Sequence, residues 1–110
     1  MMRRLRANWH RARHGWAPSD TWDLDTYLCK VMGESLLYLA AHHHGAPAGY
    51  PQRNPDAETD FDAWARDLQR WGETFRAYTM EGTFEEEAER LKAVEAALRE
   101  IAPWWGSLWD

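Results

Sequence analysis

The chain has 110 residues, with 13 Lys and Arg against 18 Asp and Glu, one Cys and eight Trp. That length holds one domain and excludes large catalytic scaffolds such as a (β/α)₈ barrel, which needs about 250 residues. Cys29 alone allows no internal disulfide, and no apolar run approaches the ~18 residues of a membrane span. The basic start lacks the apolar stretch of a signal peptide, so a cytoplasmic, non-membrane protein is expected.

Residues 1–15 form a basic N-terminal arm: Arg3, Arg4, Arg6, Arg11 and Arg13 with His10 and His14, and no acid. Residues 16–110 then carry eight Lys and Arg against 18 acids, a net of −10. An acidic body argues against wrapping duplex nucleic acid, which needs Lys and Arg opposite phosphates. The arm itself either frays in solvent or grips a phosphate group or an acidic face of another copy.

The body, residues 16–110, reads as a single all-α domain, a small antiparallel helical bundle with a Pro/Gly-rich connecting loop. A helix is expected to begin near Ser19–Asp23, capped by Asp20 or Asp23, and to present Leu24, Leu28, Val31, Met32, Leu36 and Leu39 as its apolar face. It runs to about His43, with Gly45 as its terminating residue. Three Pro and two Gly between Gly45 and Pro55 make that stretch a loop. A second helix starts near Thr59 or Asp60 with the stripe Phe61, Trp64, Leu68, Trp71, Phe75 and Tyr78, and Gly82 ends it. Thr83 and Glu86 spell a capping box for a third helix, with Phe84, Ala88, Leu91, Val94, Leu98 and Ile101 on its apolar face and Pro103 as its stop. The tail Trp104-Trp105-Gly106-Ser107-Leu108-Trp109-Asp110 is too apolar to stay in water and should dock.

Candidate functional residues fall in three places. Trp16, Asp20, Trp22 and Asp25 crowd the first helix start, where indoles stack on planar ligands and carboxylates accept hydrogen bonds. Capping and end-packing are the competing use of the same residues. His42, His43 and His44 close that helix; three consecutive imidazoles point in different directions, which suits capping or a polar ligand contact better than metal binding. The ligand-binding set is therefore Trp16, Asp20, Trp22 and Asp25 with His43 and His44, and Arg13 supplies charge from the arm. Eight Trp exceed what so small a core requires, so Trp105 and Trp109 are expected at a subunit contact or across the bundle, in a homo-oligomer. No phosphate loop, nucleophile elbow or metal motif is present, and no catalytic residue, cofactor or metal is expected.

The run Gly15-Trp-Ala-Pro-Ser-Asp-Thr-Trp-Asp-Leu-Asp-Thr-Tyr-Leu28, the His44-Gly-Ala-Pro47 turn, Trp64 and the ending Ser107-Leu-Trp-Asp110 resemble a group of small proteins encoded by tailed bacteriophages. The matching positions are Trp16, Asp20, Trp22, Leu24, Asp25, His44, Gly45, Pro47, Trp64, Leu108, Trp109 and Asp110; the triple His and the Arg-rich arm depart from the pattern. The resemblance implies a phage protein acting in the cytoplasm of the infected bacterium. Surplus aromatics, Arg, His and acids without catalytic machinery then point to a sponge that sequesters a nucleotide-derived immune messenger. The alternatives are a protein–protein adaptor, an inhibitor of a host enzyme or a phage structural accessory, and more distantly a metal-dependent hydrolase.

Overall fold

The computed structural model describes residues 2–56 and 58–109; the side chains of Met2, Arg3 and Asp20, and all of Asp110, lie outside the described residues, and so do the roles expected of Arg3, Asp20 and Asp110. Helices make up 71% of the chain and no strand occurs among the described residues, which establishes the all-α class. The elements are α1 (Met2–His14), a short 3₁₀ turn (Pro18–Thr21), α2 (Leu24–His42), α3 (Asp60–Arg76), α4 (Phe84–Ile101) and a C-terminal 3₁₀ segment (Ala102–Ser107). No helix among the described residues is long and apolar enough to cross a membrane.

The core is built on α3. Trp64, Leu68, Trp71 and Phe75 recur at three- and four-residue steps and are almost wholly buried, joined by Ile101, Val94 and Ala97 of α4 and by Cys29 and Leu36 of α2. Thr59 starts α3 with a reciprocal cap: its Oγ1 accepts from the Asp62 amide, and the Asp62 carboxylate accepts from the Thr59 amide. Thr83 Oγ1 accepts from the Glu86 amide and caps α4, but the return bond from the Thr83 amide to the Glu86 carboxylate is not among those described, so only half of the expected capping box forms there. Gly82, at φ +92°, turns the chain into that cap.

Two glycines let α2 and α3 approach closely. A Cβ on Gly33 would lie 2.7 Å from the Arg76 backbone nitrogen, and one on Gly72 would lie 2.8 Å from the Leu37 side chain. The pair works from both ends of the crossing, so neither helix can shift without the other.

Several expectations from the sequence need correction. The arm is a helix for thirteen residues, not a frayed segment. α2 begins at Leu24, after the 3₁₀ turn, and Asp23 makes no side-chain cap. It buries Cys29, Gly33 and Leu36 and leaves Leu24, Leu28 and Val31 exposed, because the helix is apolar on two sides and only one packs on α3. It ends at an extended His43, and Gly45 does not adopt the left-handed conformation. α3 stops at Arg76, short of Gly82. α4 buries Val94, Ala97 and Ile101, whereas Phe84, Leu91 and Leu98 face outward. In the tail, Trp104 and Leu108 pack on the core, while Trp105 and Trp109 remain exposed.

Candidate functional site

α1 and the Gly15 turn that follows it reach the body through two hydrogen bonds and one ring contact. Gly15, at φ +82°, reverses the chain after α1, and the Tyr27 hydroxyl of α2 donates to the Gly15 carbonyl at 2.8 Å. His10 Nδ1 lies 2.6 Å from the Trp16 carbonyl, and the two rings meet edge to face at 4.8 Å. A carbonyl oxygen only accepts, so Nδ1 is the donor in this bond. These contacts tie α1 to the chain just before the 3₁₀ turn, where Ala17 is fully buried.

Between them lies a groove of about 390 Å³ lined by Arg6, Ala7 and His10 of α1 and by Pro18, Ser19 and Trp22. Trp22 is 81% exposed and offers an indole face there. The structure thus brings Trp22 together with two arm residues, Arg6 and His10, that the sequence reading did not place in the site. Arg13, which it did place there, lies over the Trp9 ring at 5.4 Å instead. The missed signal is helical: Arg6 and His10 stand one turn apart on α1 and face the groove together, which shows only when the arm is read as a helix.

The other predicted residues are employed differently. Asp25 accepts from the Tyr78 hydroxyl at 2.6 Å, which ties the start of α2 to the segment after α3. That bond holds the Asp25 carboxyl below the usual carboxylate range and pushes the Tyr78 phenol up to about 12. His42 and His43 cap the last turn of α2. Their Nδ1 atoms bond the carbonyls of Tyr38 at 2.9 Å and Ala40 at 3.0 Å, and the buried His43 ring stacks on Phe61.

His44 enters a second recess, at the other end of α2. About 380 Å³ in volume, it is lined by His44, Gly45 and Pro47 from the loop, Trp64 from α3, and Ser107 and Trp109 from the tail. Three stretches far apart in sequence converge here, and among the described residues no Arg or Lys lines the space. With α2 spanning about 28 Å between them, the Trp22 groove and the His44 recess share no lining residue.

Sequence reasoning also missed a polar network on the buried side of α3. Asp67 accepts from the Tyr50 hydroxyl at 2.5 Å, from Arg66 Nε and Nη2 at 3.2 Å each, and from Arg70 Nη2 at 3.2 Å. Arg66 also donates to both Glu58 oxygens, and Arg70 clasps Glu100 of α4 with two bonds at 3.0 and 3.1 Å. Burial opposes ionisation of Asp67, but the bonds from Arg66, Tyr50 and Arg70 outweigh it and hold the carboxyl below its usual range. Burial and then the Asp67 bond push the Tyr50 phenol up. Every charge in the network has an opposite partner, so its chemistry is that of a clasp between loop, α3 and α4. The available signal was an acid inside the apolar stripe, three residues after Trp64 and four before Trp71.

Among the described residues, no group of three or more His, Cys, Asp and Glu is placed to hold a metal ion. No protein-family model, curated protein or solved structure matches this chain.

Proposed function

We propose that the protein is a non-catalytic binding protein that takes up a nucleotide-derived anion in the groove between α1 and Trp22. The observation that carries this reading is the placement of Arg6 and His10 beside an exposed indole in one recess. A base stacked on Trp22 gains about 1–3 kcal/mol, and an Arg beside it offers charge-assisted bonds to a phosphate. The charge asymmetry supports the same end of the molecule, because the acidic remainder repels an anion elsewhere. With the resemblance to small phage proteins, the biological reading is sequestration of an immune nucleotide messenger in the cytoplasm of an infected bacterium.

The test is calorimetric titration of the full chain with cyclic di- and trinucleotides and ADP-ribose derivatives, followed by recovery of the ligand after heating. Intact ligand supports sequestration, and a converted product identifies an enzyme instead. A second reading, a protein–protein adaptor, is favoured by Phe84, 85% exposed on the same outward side of α4 as Leu91 and Leu98. Silence across the nucleotide panel with retention of a protein partner on immobilised chain decides for that reading.

A further inference from the structure

Helix α1 turns its apolar side away from its own protein. At about 100° per residue, Leu5, Trp9 and Ala12 fall within one narrow arc of the helix. All three are exposed, Leu5 at 60% and Trp9 at 63%. The opposite arc holds Ala7, His10 and Arg11, which are half-buried, and from it His10 bonds the Trp16 carbonyl. Arg6 and Arg13 border the stripe beside Trp9, with the Arg13 guanidinium over its ring, and Asn8 and Arg4 stand on the other border. Residues 1–15 contain five Arg and no acid.

We propose that α1 docks flat on an anionic phospholipid surface, with Leu5 and Trp9 sunk among the headgroups and the bordering arginines on the lipid phosphates. Two observations select that occupant. The first is charge. The helix carries only cations around its apolar stripe, so the surface that covers it is anionic, and guanidinium forks match phosphate oxygens. Trp9 suits the same level, because an indole has an apolar body and an N–H that finds acceptors among headgroups. The second is area. With two large apolar side chains on a helix of thirteen residues, the stripe presents roughly 300 Å² of apolar surface. A stable protein interface buries about 800 Å² per partner, more than half of it apolar. A bilayer requires no matching shape, and every arginine held near it adds to the attraction.

The acidic remainder of the chain does not oppose this placement. It joins α1 from the His10 side, and a helix about 10–12 Å across sets it more than one Debye length, about 8 Å, from the lipid. Nor is a membrane span required, since a helix of this kind lies in the plane of the surface. The inference does not rest on the nucleotide reading: Leu5 and Trp9 line no part of the groove beside Trp22.

The experiment is flotation of the full chain with vesicles of phosphatidylcholine and phosphatidylglycerol in equal parts, and with vesicles of phosphatidylcholine alone. Circular dichroism confirms folding. The chain is expected to float with the mixed vesicles only and to be released as salt rises. Leu5→Ser/Trp9→Ser should remain folded, since both side chains lie outside the core, and should lose flotation. Nucleotide titration of that variant should be unchanged, which separates the two readings. Arg4→Gln and Arg13→Gln should each weaken vesicle binding about fivefold. No flotation with mixed vesicles, equal flotation with both kinds, or binding indifferent to the Leu5→Ser/Trp9→Ser or to the Arg variants would overturn the proposal. So would a wild-type dimer in light scattering that Leu5→Ser/Trp9→Ser dissolves while no vesicle is bound, which would assign the stripe to a second copy.

Discussion

Replacing Tyr50 by Phe isolates one bond. The ring sits edge to face against Trp64 at 5.0 Å and Trp104 at 4.9 Å, and Phe keeps both contacts. What is lost is the hydroxyl donated at 2.5 Å to the buried Asp67 carboxylate. A hydrogen bond to a charged group contributes about 1.5–3 kcal/mol. Arg66 and Arg70 remain on Asp67, so the carboxylate is not orphaned and the loss should be about 2 kcal/mol, in the lower part of that range. For a domain of this size that lowers Tm by roughly 8 °C. The cost must also depend on pH, because the bond favours the ionised carboxyl. As pH falls and Asp67 takes up a proton in the fold, wild type loses the advantage and the two proteins converge. Urea unfolding followed by Trp fluorescence at pH 7 and at pH 3 measures both effects. A loss under about 0.5 kcal/mol at pH 7, the size of an ordinary surface change, would refute the reasoning. A gap that stays constant on acidification would refute it equally.

Three further outcomes are expected. Gly33→Ala should cost about 1–3 kcal/mol in urea unfolding, because the new methyl meets the Arg76 backbone rather than a side chain that can swing away; unchanged stability would place the helices farther apart than described. Asp25, Glu58, Asp67 and Glu100 all have carboxyls held below the usual range, so their stabilisation is fully present above the unfolded values near about 4 and is lost as pH falls through the folded ones; the urea midpoint should be flat from pH 5 to 7 and drop steeply below, less so in Asp67→Asn. Deleting residues 2–13 should abolish nucleotide binding and its salt dependence, and Trp22→Ala should weaken binding by about 1–3 kcal/mol without lowering the melting temperature, since the ring is exposed; wild-type affinity in either variant would remove the groove from the site.

The parts of this fold that were legible in the sequence are those where one signal dominates. The helix starts at Thr59 and Thr83 fall where they were read, although the full reciprocal cap forms at Thr59 and only its first half at Thr83, where the box was expected. Trp64, Leu68, Trp71 and Phe75 form one stripe against a polar background, and that stripe is the core. α2 was ambiguous for a physical reason: two apolar lines run along it, and periodicity does not say which one a neighbour covers. In α4 the true core positions include the small Ala97, whose weak hydrophobic signal is overshadowed by Phe84, Leu91 and Leu98 outside. α1 was hidden by its charge, since seven basic or imidazole side chains mask the helical spacing of Leu5, Trp9 and Ala12. The groove partners Arg6 and His10 were hidden with it, because only once the arm is a helix do they share a side.

The reciprocal glycine contact between α2 and α3 has a consequence for how the molecule breathes. Their shared interface is by far the largest in the chain, whereas α4 meets α3 over a shorter stretch and leans on the Glu100 clasp. Sliding of α2 along α3 is blocked at both ends by backbone and by Leu37, so the two helices open only together, in the global transition. α4 can lift away while that pair stays closed, which makes it a separate cooperative unit of lower opening free energy. Amide protons should therefore exchange in three tiers: α1 first, α4 at an intermediate rate, and α2 with α3 only as the whole domain unfolds.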